Sequence, residues 1–451
     1  MIDAERILAS QRGAVPRYTS YPTAPHFSAP DGLSIARARL ERLPADEPVS
    51  LYLHVPFCDR LCWFCGCHTK HTLKYAPVEA YVGALLEEMA TVRELAGRRF
   101  RLAHLHLGGG SPSMLRQPDI ERLARALQDN FRLGADTEIS IEIDPSDVTA
   151  ETLKGFSVLG VTRASVGVQD FSEEVQRAIN RPQTFEQTRE IIDTLRESGV
   201  RSINVDALYG LPLQTEERLV STIDKVLTLS PDRIALFGYA HVPWMKKHQR
   251  LIREEDLPGT IERFHHAGLA ADMIAGAGYD RIGIDHFAKP DDSLALAARK
   301  GRLFRNFQGY TTDACRTLIG LGASAISSYG DAYVQNIVPT REYENTVRNG
   351  KIAAARGVEL SVDDRIRAYM IERIMCDFAV SFEAMEERFG DLARPYIAEA
   401  RLVAATDRFG LSEADDRRFR VREEARRFTR IVASWFDAYL EDSSVRYSKA
   451  V

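Results

Sequence analysis

From about residue 49 to residue 290 the chain alternates short apolar runs with amphipathic stretches of helical period, and this rhythm constrains its fold more than any other feature. Strands are expected over residues 50–55, 102–107, 138–143, 163–168, 202–207 and 233–237, with a further one over 280–284. Helices are expected over 77–95, 118–130, 185–198 and 216–229. Parallel neighbours need crossover connections, and a helix after each strand supplies them. The expected fold class is therefore α/β, a parallel sheet with helices outside. Such units can close fully or remain a partial (β/α) barrel, and the pattern leaves both open. After about residue 360 the alternation stops. Residues 363–376, 382–389 and 424–440 read as helices, with 417–421 extended between them. The chain thus divides into an N-terminal arm (1–45), a barrel with its extension (46–360) and a small helical or winged-helix-like C-terminal domain (361–451).

The ends of the strands carry the unusual residues. Cys58 to Cys67 follows the first strand, Gly108-Gly109-Gly110-Ser111-Pro112 the second, and Glu142-Ile143-Asp144-Pro145 ends the third. Gln169-Asp170 follows the fourth, Asp206 to Gly210 the fifth, and Tyr239-Ala240-His241 the sixth. In parallel α/β folds the carboxyl ends of the strands open on one mouth, where sites assemble. The glycine run allows close backbone approach to a ligand, and Glu138, Ser140 and Glu142 share one strand face. Tyr52 and His54 likewise point to one side of the first strand. Arg181, in Asn180-Arg181-Pro182, can clamp a carboxylate or lie on the surface. Residues 306–310 and 320–326 read as loops near the barrel's end.

Four of the six cysteines form the pattern Cys58-x3-Cys62-x2-Cys65-Gly66-Cys67. Three thiolates on one short loop can each hold one iron of a cubane and leave the last iron open to a small molecule, whereas an electron-transfer centre takes four cysteines. A structural zinc ion is the alternative, although zinc usually draws its ligands from two separated pairs. Cys315 and Cys376 stand alone and read as buried thiols. The N-terminus shows no basic stretch followed by an apolar one, so a reducing cytoplasm is expected. No run of about twenty apolar residues exists to span a membrane. A net charge of −5 argues against nucleic acid as a partner, and the acidic pairs Glu386-Glu387 and Asp415-Asp416 make the C-terminal domain a better lid than a DNA-binding module.

The cysteine loop, glycine turn and acidic strand end together resemble the radical S-adenosylmethionine (SAM) superfamily. Arg17-Tyr18-Thr19-Ser20-Tyr21-Pro22-Thr23, residues 52–67, Gly167-Val168-Gln169-Asp170-Phe171 and residues 306–312 resemble the oxygen-independent coproporphyrinogen III oxidase (dehydrogenase) family of haem biosynthesis. That likeness runs from about residue 13 to the C-terminus. It implies that Cys58, Cys62 and Cys65 ligate a [4Fe–4S] cluster, with SAM on the open iron. Tyr52, Phe64, Glu142 and Ile326 would line that first SAM site, Phe64 against the adenine. A second SAM position would match Gly109, Gly110, Ser111, Gln169, Arg181, Asp206 and Ala240. His54 and Cys67 are candidates for catalytic roles, and Arg17 with the C-terminal basic residues for binding substrate carboxylates.

The implied reaction converts two propionates of coproporphyrinogen III to vinyl groups, giving protoporphyrinogen IX. It proceeds through 5′-deoxyadenosyl radicals and uses two SAM molecules, an external electron donor and a final acceptor. A cytoplasmic monomer is expected. The rival readings are a haem chaperone and a haem-modifying radical SAM relative. Chaperones of this kind typically lack the second cysteine of Cys65-Gly66-Cys67 and a full 17–23 arm, both present here.

Overall fold

The computed structural model describes residues 4–10, 15–28 and 32–440, so residues 1–3, 11–14 and 29–31 of the expected arm and 441–451 of the C-terminal region lie outside the described residues. Six strands stand side by side and parallel in chain order. They are β1 (Val49–Val55), β2 (Phe100–Gly109), β3 (Phe131–Ile143), β4 (Arg163–Gln169), β5 (Ser202–Tyr209) and β6 (Arg233–Gly238). They match the expected strands and in most cases extend them. Both faces of β1 are buried, the apolar Val49, Leu51, Leu53 and Val55 on one and Ser50 and His54 on the other. Helices cover the sheet, and several start on a threonine that follows a strand or loop. Thr149, Thr184 and Thr215 each accept a hydrogen bond from the N–H three residues on, satisfying one of the free first-turn donors.

The sheet continues beyond these strands with β7 (Asp280–Ile282), β8 (His286–Ala288), β9 (Thr317–Leu321), β10 (Ile326–Ser328), β11 (Ala332–Asn336) and β12 (Ala354–Glu359). Its order is β12-β11-β10-β9-β1-β2-β3-β4-β5-β6-β8-β7. The outermost strands β12 and β7 do not pair with each other among the described residues, so the barrel is partial.

Three expectations change here. The strand near 280–284 is not a further parallel unit, because β7 reaches β8 through a three-residue turn and such neighbours can pair only antiparallel. The seventh parallel strand is instead β9, beside β1 in the register Tyr52↔Gly320. Residues 320–326 were expected as loop because glycines punctuate them, yet Gly320 and Leu321 end β9 and Ile326 begins β10. Gly320 is there for space: a Cβ on it would lie 2.5 Å from the Ile326 carbonyl oxygen. Residues 306–310 likewise belong to a hairpin, Phe304–Asn306 with Gly309–Thr311.

Helices Val362–Asp377, Phe382–Phe389 and Arg394–Thr406 pack with a three-stranded antiparallel sheet of Ala379–Ser381, Ser412–Ala414 and Arg418–Val421. The helix expected over 424–440 is shorter, a 3-10 turn Glu423–Phe428 followed by an α-helix Thr429–Ser434. Past Ser434 the Trp435, Phe436 and Asp437 N–H groups bond the carbonyls three residues back, and the next two donors are taken by side chains. Ala438 N–H donates to Tyr21 Oη at 3.0 Å and Tyr439 N–H to Asp437 Oδ1 at 2.9 Å. Tyr21 and Tyr18 come from the N-terminal arm and, with Ile7, are buried in one apolar core with Ile366, Phe419 and Phe436. The Arg430 guanidinium donates to Val15 O at 2.8 Å, which fixes the arm across the C-terminal helices. No helix among the described residues is long and apolar enough to cross a membrane.

Candidate active site

At the mouth formed by the strand ends, the cysteine loop leaves β1 and is tied down along its length. Trp63 N–H donates to Ile179 O at 2.9 Å, and Asn180 Nδ2 to Leu61 O at 2.9 Å. From the segment after β6, Lys246 Nζ reaches Cys67 O (2.8 Å) and His248 Nε2 reaches Cys65 O (2.8 Å). Gln249, fully buried, donates through Nε2 to both Phe64 O (2.9 Å) and Ala240 O (3.1 Å). One side chain therefore joins two residues expected on different SAM positions. The sequence carries no sign of this clamp, because 246–249 follows neither a strand end nor a motif.

Cys58, Cys62 and Cys65 lie close enough to influence one another's ionisation. Burial, then the neighbouring thiols, push Cys58 up. Cys67 is exposed, and its N–H donates to Cys65 Sγ at 3.4 Å. Arg181 is buried and points three ways: Nη1 to Asp144 Oδ2 (2.8 Å) and to Cys62 Sγ (3.5 Å), and Nη2 to Gly167 O (2.8 Å). Its guanidinium is largely spent on the protein, so it is less a free carboxylate clamp than a fixed positive charge beside Cys62. Its Nε, buried, has no hydrogen-bond partner among the described residues.

The glycine turn and the acidic strand end meet directly. Gly109 N–H donates to Glu142 Oε2 at 3.0 Å, and His106 bridges Ser140 Oγ (2.7 Å) and Glu142 Oε1 (3.3 Å). Burial works against ionisation of Glu142, but His106 and the Gly109 N–H hold its carboxyl below the usual range. A Cβ on Gly110 would lie 2.5 Å from Phe57 O, and Gly109 has φ +116°, so glycine is required at both positions. Gln169 sits at a register shift between β4 and β5 with φ +66°, its amide near Gly167 and Arg181. Asp206 accepts from Ser165 Oγ (3.0 Å) and Asn204 Nδ2 (2.8 Å); burial, then the Glu142 charge, push it up to about 6. Asp147, not anticipated, accepts from Ser113 Oγ at 2.6 Å, and burial beside Asp144 pushes it up to about 7. Its position just after the acidic end of β3 was the available signal.

Tyr52 stacks on His106 with ring centroids 5.9 Å apart. His54 Nε2 lies 3.0 Å from His68 O and Nδ1 3.0 Å from Tyr52 Oη. A carbonyl only accepts, so Nε2 carries the proton and Nδ1 accepts from the tyrosine. Burial pushes this ring down to about 4. With both nitrogens occupied, His54 fastens the end of the cysteine loop to β1 and has no free nitrogen for proton transfer. Ile326 stands beside Gly320 and hence near Tyr52, while Ser111 is buried with its hydroxyl 2.8 Å from Ser113 Oγ. Ala240 opens onto a cavity of about 440 Å³ bounded also by Arg17, Arg263, Arg305 and Arg430.

Residues 52–226 match the model of the radical SAM superfamily, and 360–428 that of the HemN C-terminal domain. An oxygen-independent coproporphyrinogen III oxidase of Cereibacter sphaeroides is 47% identical over 436 residues, 97% of this chain and 96% of that protein. The chain belongs to the oxygen-independent coproporphyrinogen III oxidase family. The Escherichia coli relative of the same name is 40% identical over 95% of this chain and 94% of its own length. The solved structure of coproporphyrinogen III oxidase (HemN) from Escherichia coli, described as a radical SAM enzyme, superposes with a TM-score of 0.90 at 39% identity, covering 97% of this chain and all of that one.

Membership of the coproporphyrinogen III oxidase family implies a [4Fe–4S] cluster and SAM, and the donor set fits them. Among the described residues no three His, Cys, Asp or Glu side chains gather as one mononuclear ion requires. A cubane instead takes one thiolate per iron, so its cysteines stand apart around it. The unsatisfied Arg181 Nε is a donor suited to a carboxylate, and the carboxylates of Glu142 and Asp206 are suited to positive charge, as a ligand carrying both groups requires.

Proposed function

We propose that this protein catalyses the oxygen-independent oxidative decarboxylation of two propionate side chains of coproporphyrinogen III, giving protoporphyrinogen IX. The observation that carries the reading is the match at 47% identity over 97% of the chain, through both the N-terminal arm and the C-terminal domain. Each propionate loses carbon dioxide, one hydrogen atom and one further electron to become a vinyl group. When bound, the cluster and SAM supply the one-electron reductant and the carbon-centred oxidant that takes the hydrogen.

The chain's own residues bind, orient and shield. Cys58, Cys62 and Cys65 hold the cluster, with Arg181 as a fixed charge beside Cys62. Tyr52, Phe64, Glu142 and Ile326 line the first SAM position. Gly109, Gly110, Ser111, Gln169, Arg181, Asp206 and Ala240 lie around the second. Glu142 stays ionised and offers an acceptor to hydroxyl or ammonium groups, while Asp206 changes charge near pH 6. The arm and the C-terminal domain close the far side and keep water and oxygen from the reactive carbon. On this reading the protein is a cytoplasmic monomer served by an external electron donor and acceptor. A haem chaperone or haem-modifying relative is disfavoured by the full-length oxidase match.

The test is anaerobic incubation of the reconstituted, reduced protein with SAM and coproporphyrinogen III. Protoporphyrinogen IX formed together with 5′-deoxyadenosine is expected. SAM cleavage that leaves the propionates intact would move the assignment to the haem-modifying relatives.

A further inference from the structure

The cavity beyond Ala240 has an unusual charge balance. It measures about 440 Å³, within the roughly 300–1,000 Å³ span of ligand pockets. Seven arginines line it: Arg281 and Arg426 pair with Asp272 and Glu423, and the other five come from distant parts of the chain, Arg17 from the arm, Arg263 from helix Thr260–Gly276, Arg305 from the 304–311 hairpin, and Arg427 and Arg430 from the C-terminal domain. Asp285 is the carboxylate within, whereas Glu423 and Glu424 are exposed at its rim. The remaining walls include Phe237, Phe264, Ile284 and Phe287.

These guanidinium groups are held by backbone carbonyls. Arg17 donates to Gly238 O (3.2 Å), Arg263 to Tyr239 O (2.6 Å), Arg305 to Arg17 O (3.2 Å) and Arg427 to Phe264 O. Among the described residues Arg17, Arg263, Arg305 and Arg427 form no ion pair with a carboxylate. Each is thus anchored at one end with donors left over. Arg263 Nε and Arg305 Nε and Nη1 are shielded from solvent with no acceptor among the described residues. Arg305 also lies over the Tyr310 ring, its guanidinium carbon 4.4 Å from the centroid, which fixes the plane of its fork.

Cations arranged this way raise one another's cost. Burial, then Arg17, push Arg430 down to about 10, and burial also lowers Arg263. Asp285 offsets only part of this charge. Burial opposes its ionisation, but a 2.7 Å hydrogen bond with His286 and the charges of Arg305 and Arg17 keep its carboxyl low. Buried donors without acceptors are retained where a ligand satisfies them. The ligand class that fits is a polycarboxylate on an apolar frame. Its carboxylates meet planar forks, and its frame meets the aromatic walls.

We infer that this cavity seats the propionates of the tetrapyrrole that are not reacting, with Arg263 and Arg305 as the carboxylate clamps and Arg17, Arg427 and Arg430 closing around them. The inference rests on the function proposed above and assigns the substrate's place in it. The reacting propionate then lies on the side of Ala240, the wall that the cavity shares with the SAM positions. Arg17 is no longer a lone candidate: the tertiary fold supplies partners from three other segments.

The test uses reconstituted holoenzyme and two measurements. One is the affinity for coproporphyrin III compared with its tetramethyl ester in the same detergent. The other is KM for coproporphyrinogen III in the anaerobic assay. Arg305→Gln and Arg263→Gln are each expected to weaken binding of the free acid about tenfold to a hundredfold and to raise KM similarly. Ester binding and SAM affinity should stay at the wild-type level, which shows that the variants are folded. Arg305→Lys, with charge but no fork, should fall between. Wild-type KM and an unchanged acid-over-ester preference in both Gln variants would overturn the inference while leaving the reaction assignment intact. A wild type that makes no protoporphyrinogen IX would overturn the function, and the acid-over-ester preference would then still decide for or against the cavity.

Discussion

Replacing Glu88 by glutamine should change how the stability of the barrel depends on pH. Glu88 rises from helix Ala76–Ala96 into the core and is 2% exposed. It accepts from Gly322 N–H (2.7 Å), Asn336 Nδ2 (2.8 Å) and Tyr343 Oη (2.7 Å). These bonds hold the turn between β9 and β10, from which Ile326 starts β10. Burial pushes the Glu88 carboxyl from its ordinary 4.5 up to about 7, although the three donors pull the other way. The folded chain therefore keeps a proton that the unfolded chain releases across that interval. The stability from this group is fully present below pH about 4.5 and lost as pH rises through about 7. At about 1.36 kcal/mol per pH unit, the loss is about 3 kcal/mol. Glutamine cannot ionise and lacks this dependence. Between about pH 5 and pH 8 the stability difference between wild type and Glu88→Gln should move about 3 kcal/mol toward the variant. At about 2 °C per kcal/mol, this is about 6 °C in melting midpoint. Scanning calorimetry of the two holoproteins, anaerobic and in matched buffers, reads that difference directly. A difference that stays constant over the pH range would refute the argument that Glu88 is the buried titrating group.

Cys62→Ser should abolish cluster assembly and SAM cleavage while the circular dichroism of the barrel is retained; undiminished 5′-deoxyadenosine would contradict the ligand assignment. Gly110→Ala places a Cβ 2.5 Å from the Phe57 carbonyl oxygen, backbone against backbone, so SAM affinity measured by equilibrium dialysis should fall about tenfold or more. Wild-type affinity in that variant would show that the glycine turn does not shape the site. Asp206, pushed up to about 6 by burial and Glu142, should lose its charge as pH falls through that value. SAM carries a positive sulfonium, so its affinity should weaken on the acid side and Asp206→Asn should flatten the profile; an identical pH profile in the variant would place Asp206 away from the ligand.

Much of the site was legible because its parts are local. A strand's period, the glycines of a tight turn and the spacing of Cys58, Cys62 and Cys65 are all short-range patterns, and parallel strands bring their ends to one side. Tyr52, Glu142, Gly109 and Gly110 accordingly meet at the mouth. His54 was legible as to position but not as to role. Only the contacts at its two ring nitrogens, one of them from His68 beyond the cysteines, reveal that it is already satisfied. Arg181 shows the same gap, since Asp144 and Gly167, which occupy it, are more than a dozen positions away. Gln249 left no trace in the sequence, because a single buried amide that joins Phe64 to Ala240 acts through bonds that no periodicity encodes.

The sequence by itself determined the six parallel strands and the side on which the reactive residues collect. Alternating apolar strands and helices permit few other arrangements when each crossover must return across the sheet. The tertiary structure alone decided that the barrel stays open and that β9 is its seventh parallel strand. It also made β7 and β8 an antiparallel edge and packed the arm into the C-terminal core. The arginine cavity belongs to the same class. Arg17 and Arg305 are 288 positions apart and Arg430 lies 415 from Val15, so their meeting depends on chain closure over hundreds of residues. Local propensity says where a helix or strand begins; it contains no term for which distant charges the completed fold will bring together.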